Sequence, residues 1–264
     1  MSSAPLAGRT ALITGSSSGL GLAMAEGLAR AGCGIVLHGL APLAEVQPLQ
    51  DHIARQHRVP VSYLQGDLSD ADAVVALVDD AVRRHGSVDV LVNNAVTRHF
   101  GPLESLPRSA WEQALAVNIS APFHAIRACL PSMRQRGWGR IFNMTSAYGV
   151  RAVANRIDYV TTKAALLGLT RAVALETLQQ GITCNALCPG SVRTPSIETR
   201  LQELAQAQGL DAEAATRVFL QGKQPTGRFV EAGHVAELLV FLCSAAGRDI
   251  TGAMLPMEGG WLAG

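Results

Sequence analysis

Charge is scarce in this chain: 16% of its 264 residues are Asp, Glu, Lys or Arg, and 22 basic against 21 acidic side chains leave a net charge of +1. No run of basic residues occurs, so neither a nucleic-acid backbone nor an anionic membrane surface is the expected partner. Long apolar runs are missing as well. Nothing approaches the roughly 18 uninterrupted apolar residues of a membrane span. The opening residues, MSSAPLAGRT, lack the charged-then-apolar order of a secretory signal, and the expected location is cytoplasmic. Cysteine is sparse and odd in number: Cys33, Cys129, Cys184, Cys188 and Cys243. That argues against a disulfide framework. Cys184 and Cys188 are four apart with no histidine nearby, and Pro189 follows, so core positions are expected rather than metal ligands. The histidines form no H-E-x-x-H pair, and no metal is expected.

Hydrophobic residues, in contrast, make up 48% of the chain. That excludes general disorder, and the length suits one large α/β domain, residues 1–264. Apolar runs alternate with amphipathic segments. Strands are expected at Thr10 to Thr14, Ile35 to His38, Val61 to Leu64, Val88 to Val92, Arg140 to Met144, Ile182 to Leu187 and Met254 to Met257. Helices are expected at Leu20 to Ala31, from Ser69 to a last turn of Arg83, Arg84 and His85, at Trp111 to Met133 with a kink or start near Pro122, at Tyr159 to Gln179 and at Glu231 to Ser244. Ser69 and Asp72 have capping-box spacing, and Gly86 suits the exit of that helix. Such alternation predicts a doubly wound, parallel, seven-stranded sheet of Rossmann type with helices on both faces. Residues 191–229 break the rhythm. They are long, polar and helix-prone, and fall where ligands bind beyond the strand ends, which makes them a candidate lid.

The first strand runs into Gly15-Ser16-Ser17-Ser18-Gly19-Leu20-Gly21 and then into a helix. Glycines permit a tight turn and close approach of backbone to a phosphate, and the helix N-terminus offers free N–H groups. The spacing is G-x-x-x-G-x-G. Further on, Asn93-Asn94-Ala95 follows the fourth strand, Ser146 lies thirteen residues before Tyr159, Tyr159 and Lys163 are four apart, and Asn118 sits in the long helix before them. With these motifs the sequence resembles the short-chain dehydrogenase/reductases over nearly its whole length. It departs at Val96, where that family usually has glycine.

The resemblance implies a catalytic tetrad of Asn118, Ser146, Tyr159 and Lys163. A free tyrosine has a pKa of about 10, too high to accept protons readily at neutral pH. A neighbouring ammonium and a positive nicotinamide ring would favour the phenolate. Tyr159 is then the base for alcohol oxidation and the acid for ketone reduction. Lys163 assists it and holds the ribose, Ser146 holds the reacting oxygen, and Asn118 holds a water that links Lys163 to solvent. The implied cofactor contacts are Gly15, Ser17, Ser18, Gly19, Leu20, Gly21, Asp67, Leu68, Asn94, Ala95, Tyr159, Lys163, Pro189, Gly190, Val192 and Thr194. At the end of the second strand, Leu37-His38-Gly39-Leu40-Ala41 has neither an acid nor an arginine or lysine. NAD is expected over NADP because no cation awaits a 2′-phosphate. His38 is a cofactor candidate that could meet a phosphate when protonated, or else an ordinary strand-end side chain.

Within the family the resemblance is strongest to bacterial (R)-3-hydroxybutyrate dehydrogenases. It is carried by Ile35-Val36-Leu37 with Gly39, Ala172 to Thr177, Cys188-Pro189-Gly190, Val192 to Pro195, Lys223-Gln224-Pro225 and Gly259-Gly260-Trp261. The pocket departs from theirs. Arg156 stands for a lysine, Arg98 and Arg200 for glutamines, Tyr148 for a histidine and Ser191 for a tryptophan, while His99 and Trp261 are retained. The expected substrate is a hydroxy or keto acid of that type or larger, carrying a second carboxylate or an aromatic ring. Arginine forks suit carboxylates. Equally, Arg98 and Arg200 could face solvent and pair with surface acids. A homotetramer is implied through the long helices, with Ala121, Phe123, Ile126, Leu166 and Val173 suiting either interface or core. The alternatives are an NADPH-linked ketoacyl-carrier reductase on the same frame and a non-catalytic dinucleotide sensor or scaffold. An enoyl reductase fits less well, because its tyrosine and lysine are spaced more widely.

Overall fold

The computed structural model describes residues 4–264; the first three residues of the expected domain lie outside the described residues. Seven parallel strands form one sheet: β1 (Thr10–Ile13), β2 (Gly34–Gly39), β3 (Val61–Gln65), β4 (Val90–Asn93), β5 (Gly139–Met144), β6 (Ile182–Pro189) and β7 (Met254–Met257), in the order β3-β2-β1-β4-β5-β6-β7. β1, β2, β4, β5 and β6 are buried at every residue, which is why they read as mainly apolar stretches rather than strict alternations, with a few buried polar residues such as Asn143 and Asn185 among them.

On one face of the sheet pack α1 (Gly19–Arg30), α2 (Leu43–His57) and α9 (Ala232–Cys243); on the other pack α3 (Ala71–His85), α5 (Ala121–Arg136) and α6 (Ile157–Glu176). The sheet order reverses between β1 and β4, so a cleft opens beyond their carboxyl ends. Beyond β6 the chain forms α7 (Pro195–Gln208) and α8 (Ala212–Leu220), which share a small core of Ile197, Leu201, Phe219 and Leu220. Among the described residues no helix is long and apolar enough to cross a membrane. All five cysteines are free and buried, and burial pushes Cys184 and Cys188 up to about 12.

Three elements differ from expectation. The helix after β3 is capped by Asp70, whose carboxylate accepts from the Asp72 N–H at 2.9 Å, and not by Ser69. The long helix expected from Trp111 to Met133 is α4 (Arg108–Leu115), a π turn at Ala116–Ser120, and then α5 with Pro122 in its first turn. The start expected near Pro122 is therefore met by α5, and the added irregularity is the π turn that carries Asn118. Helix α2 gives almost no signal in the sequence. Only Val46 and Ile53 are buried, Pro48 interrupts its middle, and it exits through Arg58 in the left-handed region where glycine would be expected.

Candidate active site

The loop between β1 and α1 forms one side of the cleft. Gly15 (φ 63°) and Gly19 (φ 58°) adopt the left-handed backbone that glycine permits. A Cβ on Gly21 would lie 2.3 Å from the Gly15 carbonyl oxygen and 2.7 Å from Asn94 Nδ2, so only glycine fits. Ser18 caps α1 without a side-chain hydrogen bond, leaving the first-turn N–H groups of Gly19, Leu20 and Gly21 free for an anion. Asn94 braces the loop from β4. Its Nδ2 donates to the carbonyls of Thr14 (2.9 Å) and Gly15 (3.0 Å), while Thr14 Oγ1 accepts from the N–H groups of Asn94 and Ala95. This glycine cradle at an uncapped helix end fits a dinucleotide phosphate. Ser17 lies over Gly39, and Val96, which lines the cleft, keeps a negative φ.

His38 corrects one expectation. It is buried, its Nδ1 accepts the Gly15 N–H at 3.1 Å, and its Nε2 lies 3.1 Å from the Gly66 carbonyl. With Nδ1 accepting, Nε2 must carry the proton and donate. Burial pushes this histidine down to about 4, so it is a neutral strut between the phosphate loop and β3, not a cation for a phosphate. Asp67 is exposed at the rim, with its carboxylate accepting from the Ser69 N–H at 2.9 Å; Leu68 turns its side chain into the core beside Val74. The opposite wall is built by Pro189, Gly190, Val192 and Thr194. A Cβ on Gly190 would meet Glu258 Cα at 2.9 Å, and Val192 bridges to Val230, which returns from α8.

Ser146, Tyr159 and Lys163 line one cavity of about 250 Å³ together with Leu20, Asn94 and Thr194, so the phosphate loop and three of the four tetrad residues open on the same space, while Asn118 lies outside its lining. Ser146 follows β5; Tyr159 and Lys163 lie one turn apart on α6. Lys163 Nζ is buried, donates to the Met144 carbonyl at 2.6 Å and lies 5.5 Å from the centre of the Tyr159 ring. Burial first, and then the Arg98 charge, push Lys163 down to about 7. The Asn118 side chain is largely committed to protein. Its Oδ1 accepts from the Thr97 N–H (2.9 Å), and its Nδ2 donates to the Thr97 carbonyl (2.9 Å) and to Thr162 Oγ1 (3.1 Å). One lone pair remains for the water expected there. Its visible work is to hold the segment after β4 that carries Thr97 against α6.

The expected pocket residues divide. Arg98, Tyr148, Arg156, Ser191, Arg200 and Trp261 all line the cavity. Arg98 and Arg200 therefore do not project to solvent to pair with surface acids; Arg98 donates to Ser196 Oγ at 3.0 Å, and Arg200 lies 5.1 Å from the Phe100 ring centre. His99 does not line it. Its Nδ1 lies 3.0 Å from Asp158 Oδ2, and its N–H donates to the same oxygen at 2.8 Å. Asp158 was not foreseen from the sequence. It is buried at the start of α6, where it fixes His99 and accepts the Tyr159 N–H at 2.7 Å. Phe219 and Lys223, brought in by the α7–α8 segment, were not foreseen as site residues either, although Lys223 stood in a motif already noticed.

A family model, short chain dehydrogenase, matches residues 9–205. A D-beta-hydroxybutyrate dehydrogenase from Cupriavidus necator is 39% identical over 98% of this chain and 99% of its own length. One from Rhizobium meliloti is 37% identical over 97% and 99%. Among solved structures, L-sorbose reductase from Gluconobacter frateurii, complexed with NADPH and L-sorbose, superposes with a TM-score of 0.94 at 29% identity, covering all of both chains. The chain belongs to the short-chain dehydrogenase family and is an oxidoreductase acting on CH–OH groups.

Proposed function

We propose that this protein interconverts the secondary alcohol of a 3-hydroxy acid and the corresponding keto acid, with NAD as the preferred cofactor. The observation that carries the reading is the placement of Arg156. Its guanidinium carbon lies 4.7 Å from the centre of the Tyr159 ring, so a carboxylate held there sets a neighbouring carbinol against the tyrosine hydroxyl. Ser146 Oγ orients the carbinol oxygen, and Tyr159 takes its proton on oxidation and returns it on reduction. Lys163, when charged, favours the phenolate. The phosphate loop would hold the dinucleotide, which when bound accepts the hydride. The similarity to two D-beta-hydroxybutyrate dehydrogenases supports the acid substrate. The choice of NAD is supported by a neutral His38 and by an exposed Leu40 where a 2′-phosphate would call for a cation.

The experiment is oxidation of (R)-3-hydroxybutyrate by the purified protein, with NAD or NADP, beside 2-butanol as an alcohol without a carboxylate. NAD-linked turnover with kcat/KM at least about 10-fold above 2-butanol is expected. Equal efficiency with 2-butanol would remove the acid from the reading, and a preference for NADP would reverse the cofactor. Residues 191–229 serve as a lid, supported by the Thr194 side chain resting over Gly19. A homotetramer through α5 and α6 is supported by exposed Phe123 and Leu175, whereas Ala121, Ile126, Leu166 and Val173 belong to the core. Size-exclusion chromatography with light scattering tests the assembly.

A further inference from the structure

Four cationic side chains line the cavity beside Lys163: Arg98, Arg156, Arg200 and Lys223. No Asp or Glu lines it, and among the described residues none of the four has a carboxylate within ion-pair distance. Asp158, the nearby buried acid, is taken up by His99 and the start of α6.

Aromatic rings, not carboxylates, hold three of these cations, and Arg98 donates to Ser196 Oγ. Phe100 is shared by Arg156 (4.1 Å) and Arg200 (5.1 Å), and Phe219 by Arg200 (5.4 Å) and Lys223 (4.3 Å). The positive charges thus run in a file from Tyr159 outward to the α7–α8 segment. Arg156 Nε is buried without a hydrogen-bond partner. Ring interactions of this kind are too weak to offset partial burial of like charges side by side. Burial, and then repulsion from Arg200 and Arg156, push Lys223 down from its ordinary value. One carboxylate occupies one fork and leaves the outer charges unmatched.

We infer that the substrate is a hydroxy-dicarboxylate, its first carboxylate on Arg156 beside Tyr159 and its second further out along the file, on Arg200 and Lys223. This rests on the 3-hydroxy-acid reading above and specifies the group at the far end of that acid. The chemistry is unaltered. The H–C–OH carbon becomes C=O, its hydride leaves with the bonding pair to the oxidised nicotinamide, the hydroxyl proton goes to Tyr159, and both carboxylates pass through unchanged. Ser191 leaves room beside Tyr148 and Trp261 for the longer acid.

The test compares 3-hydroxyglutarate with (R)-3-hydroxybutyrate, which differ by CH2COO⁻ in place of methyl. 3-Hydroxyglutarate is achiral, so the comparison does not depend on supplying the right hand of it. Its kcat/KM is expected to be about 10- to 100-fold higher, the span of one charged hydrogen-bonded contact. Arg200→Gln and Lys223→Gln should each lower that ratio about 10-fold, whereas Arg156→Ala should lower both substrates together. A readout without turnover accompanies these: glutarate should raise the Tm of the unliganded protein more than butyrate does. A ratio at or below one, with no extra Tm shift from glutarate, overturns the dicarboxylate and leaves the 3-hydroxy-acid reading standing. A high ratio that survives both lid variants overturns the assignment to Arg200 and Lys223. Turnover of neither acid, with cofactor binding intact, overturns both readings.

Discussion

On the phosphate side of the cleft the polar groups answer one another within the protein. Thr14, Asn94 and His38 satisfy the loop backbone before any ligand arrives, and the remaining free donors are the first-turn N–H groups of α1. On the substrate side the reverse holds: cations face the cavity without acids, steadied by Phe100 and Phe219. The first half is rigid because every partner lies on a sheet strand or directly after one. The second draws all four of its cations from segments between elements or from the α7–α8 excursion, and its charge is balanced only when an anion is bound. A frame shared across chemistries is therefore joined to a pocket whose charge selects among them.

The largest effect expected is on the tyrosine at the junction. Tyr159→Phe removes the proton relay and leaves both halves otherwise intact, so kcat should fall by about 10²- to 10⁴-fold with cofactor affinity little changed. Fluorescence titration with NADH beside steady-state kinetics separates the two. Undiminished turnover would show that the proton travels elsewhere.

The self-satisfied half makes a pH prediction. His38 is held near pKa 4 in the folded protein against an ordinary 6.5. Between those values the unfolded chain binds the proton and the folded chain does not. The contribution of neutral His38 is therefore complete above pH 6.5 and is lost as the pH falls toward 4, by about 3 kcal/mol across the window. Urea unfolding at pH 7 and pH 5 should show this acid loss in the wild-type protein and a shallower one in His38→Asn. Equal slopes would mean that the ring is freely solvated. In the same half, Gly21→Ala drives a methyl into the Gly15 carbonyl and should cost about 1–3 kcal/mol of stability together with weaker dinucleotide binding, read from Tm and an NADH titration.

The contrast between the halves also explains what could be read from the sequence. The loop Gly15–Gly21 and the pair Tyr159/Lys163 are local patterns, their parts within one turn or one helix face, and they lie where the spacing placed them. The seven-stranded sheet was legible because buried parallel strands read as apolar runs. His38 was open to misreading because its partners, Gly15 and Gly66, lie 23 and 28 residues away and meet it only through strand pairing. Asp158 carries no signal of its own beside Tyr159. Phe219 and Lys223 enter the site only through the packing of α7 on α8, and Arg98 and Arg200 read equally as surface charge until that packing turns them inward. Pro122 marked the start of α5 beside it, whereas nothing in the sequence marked the π turn at Asn118.

Arg98 offers the finest test, because it belongs to the substrate half yet acts on the catalytic lysine. Its charge is the second cause, after burial, of the low value of Lys163, about 7. Near neutral pH that lysine is divided between amine and ammonium, and only the ammonium favours the Tyr159 phenolate. Arg98→Gln removes the repulsion while glutamine can still donate to Ser196. Lys163 should then hold its proton to higher pH, so the alkaline fall in activity due to its deprotonation moves up. The coupling is through a half-exposed group and is partly screened, so the change is expected to be modest and to shrink as salt is raised. A pH profile of kcat at low and high ionic strength measures it. If Arg98→Gln changes KM for the acid and leaves the alkaline limb in place at both salt concentrations, Arg98 acts on substrate alone, and the two halves of the cleft are electrostatically independent.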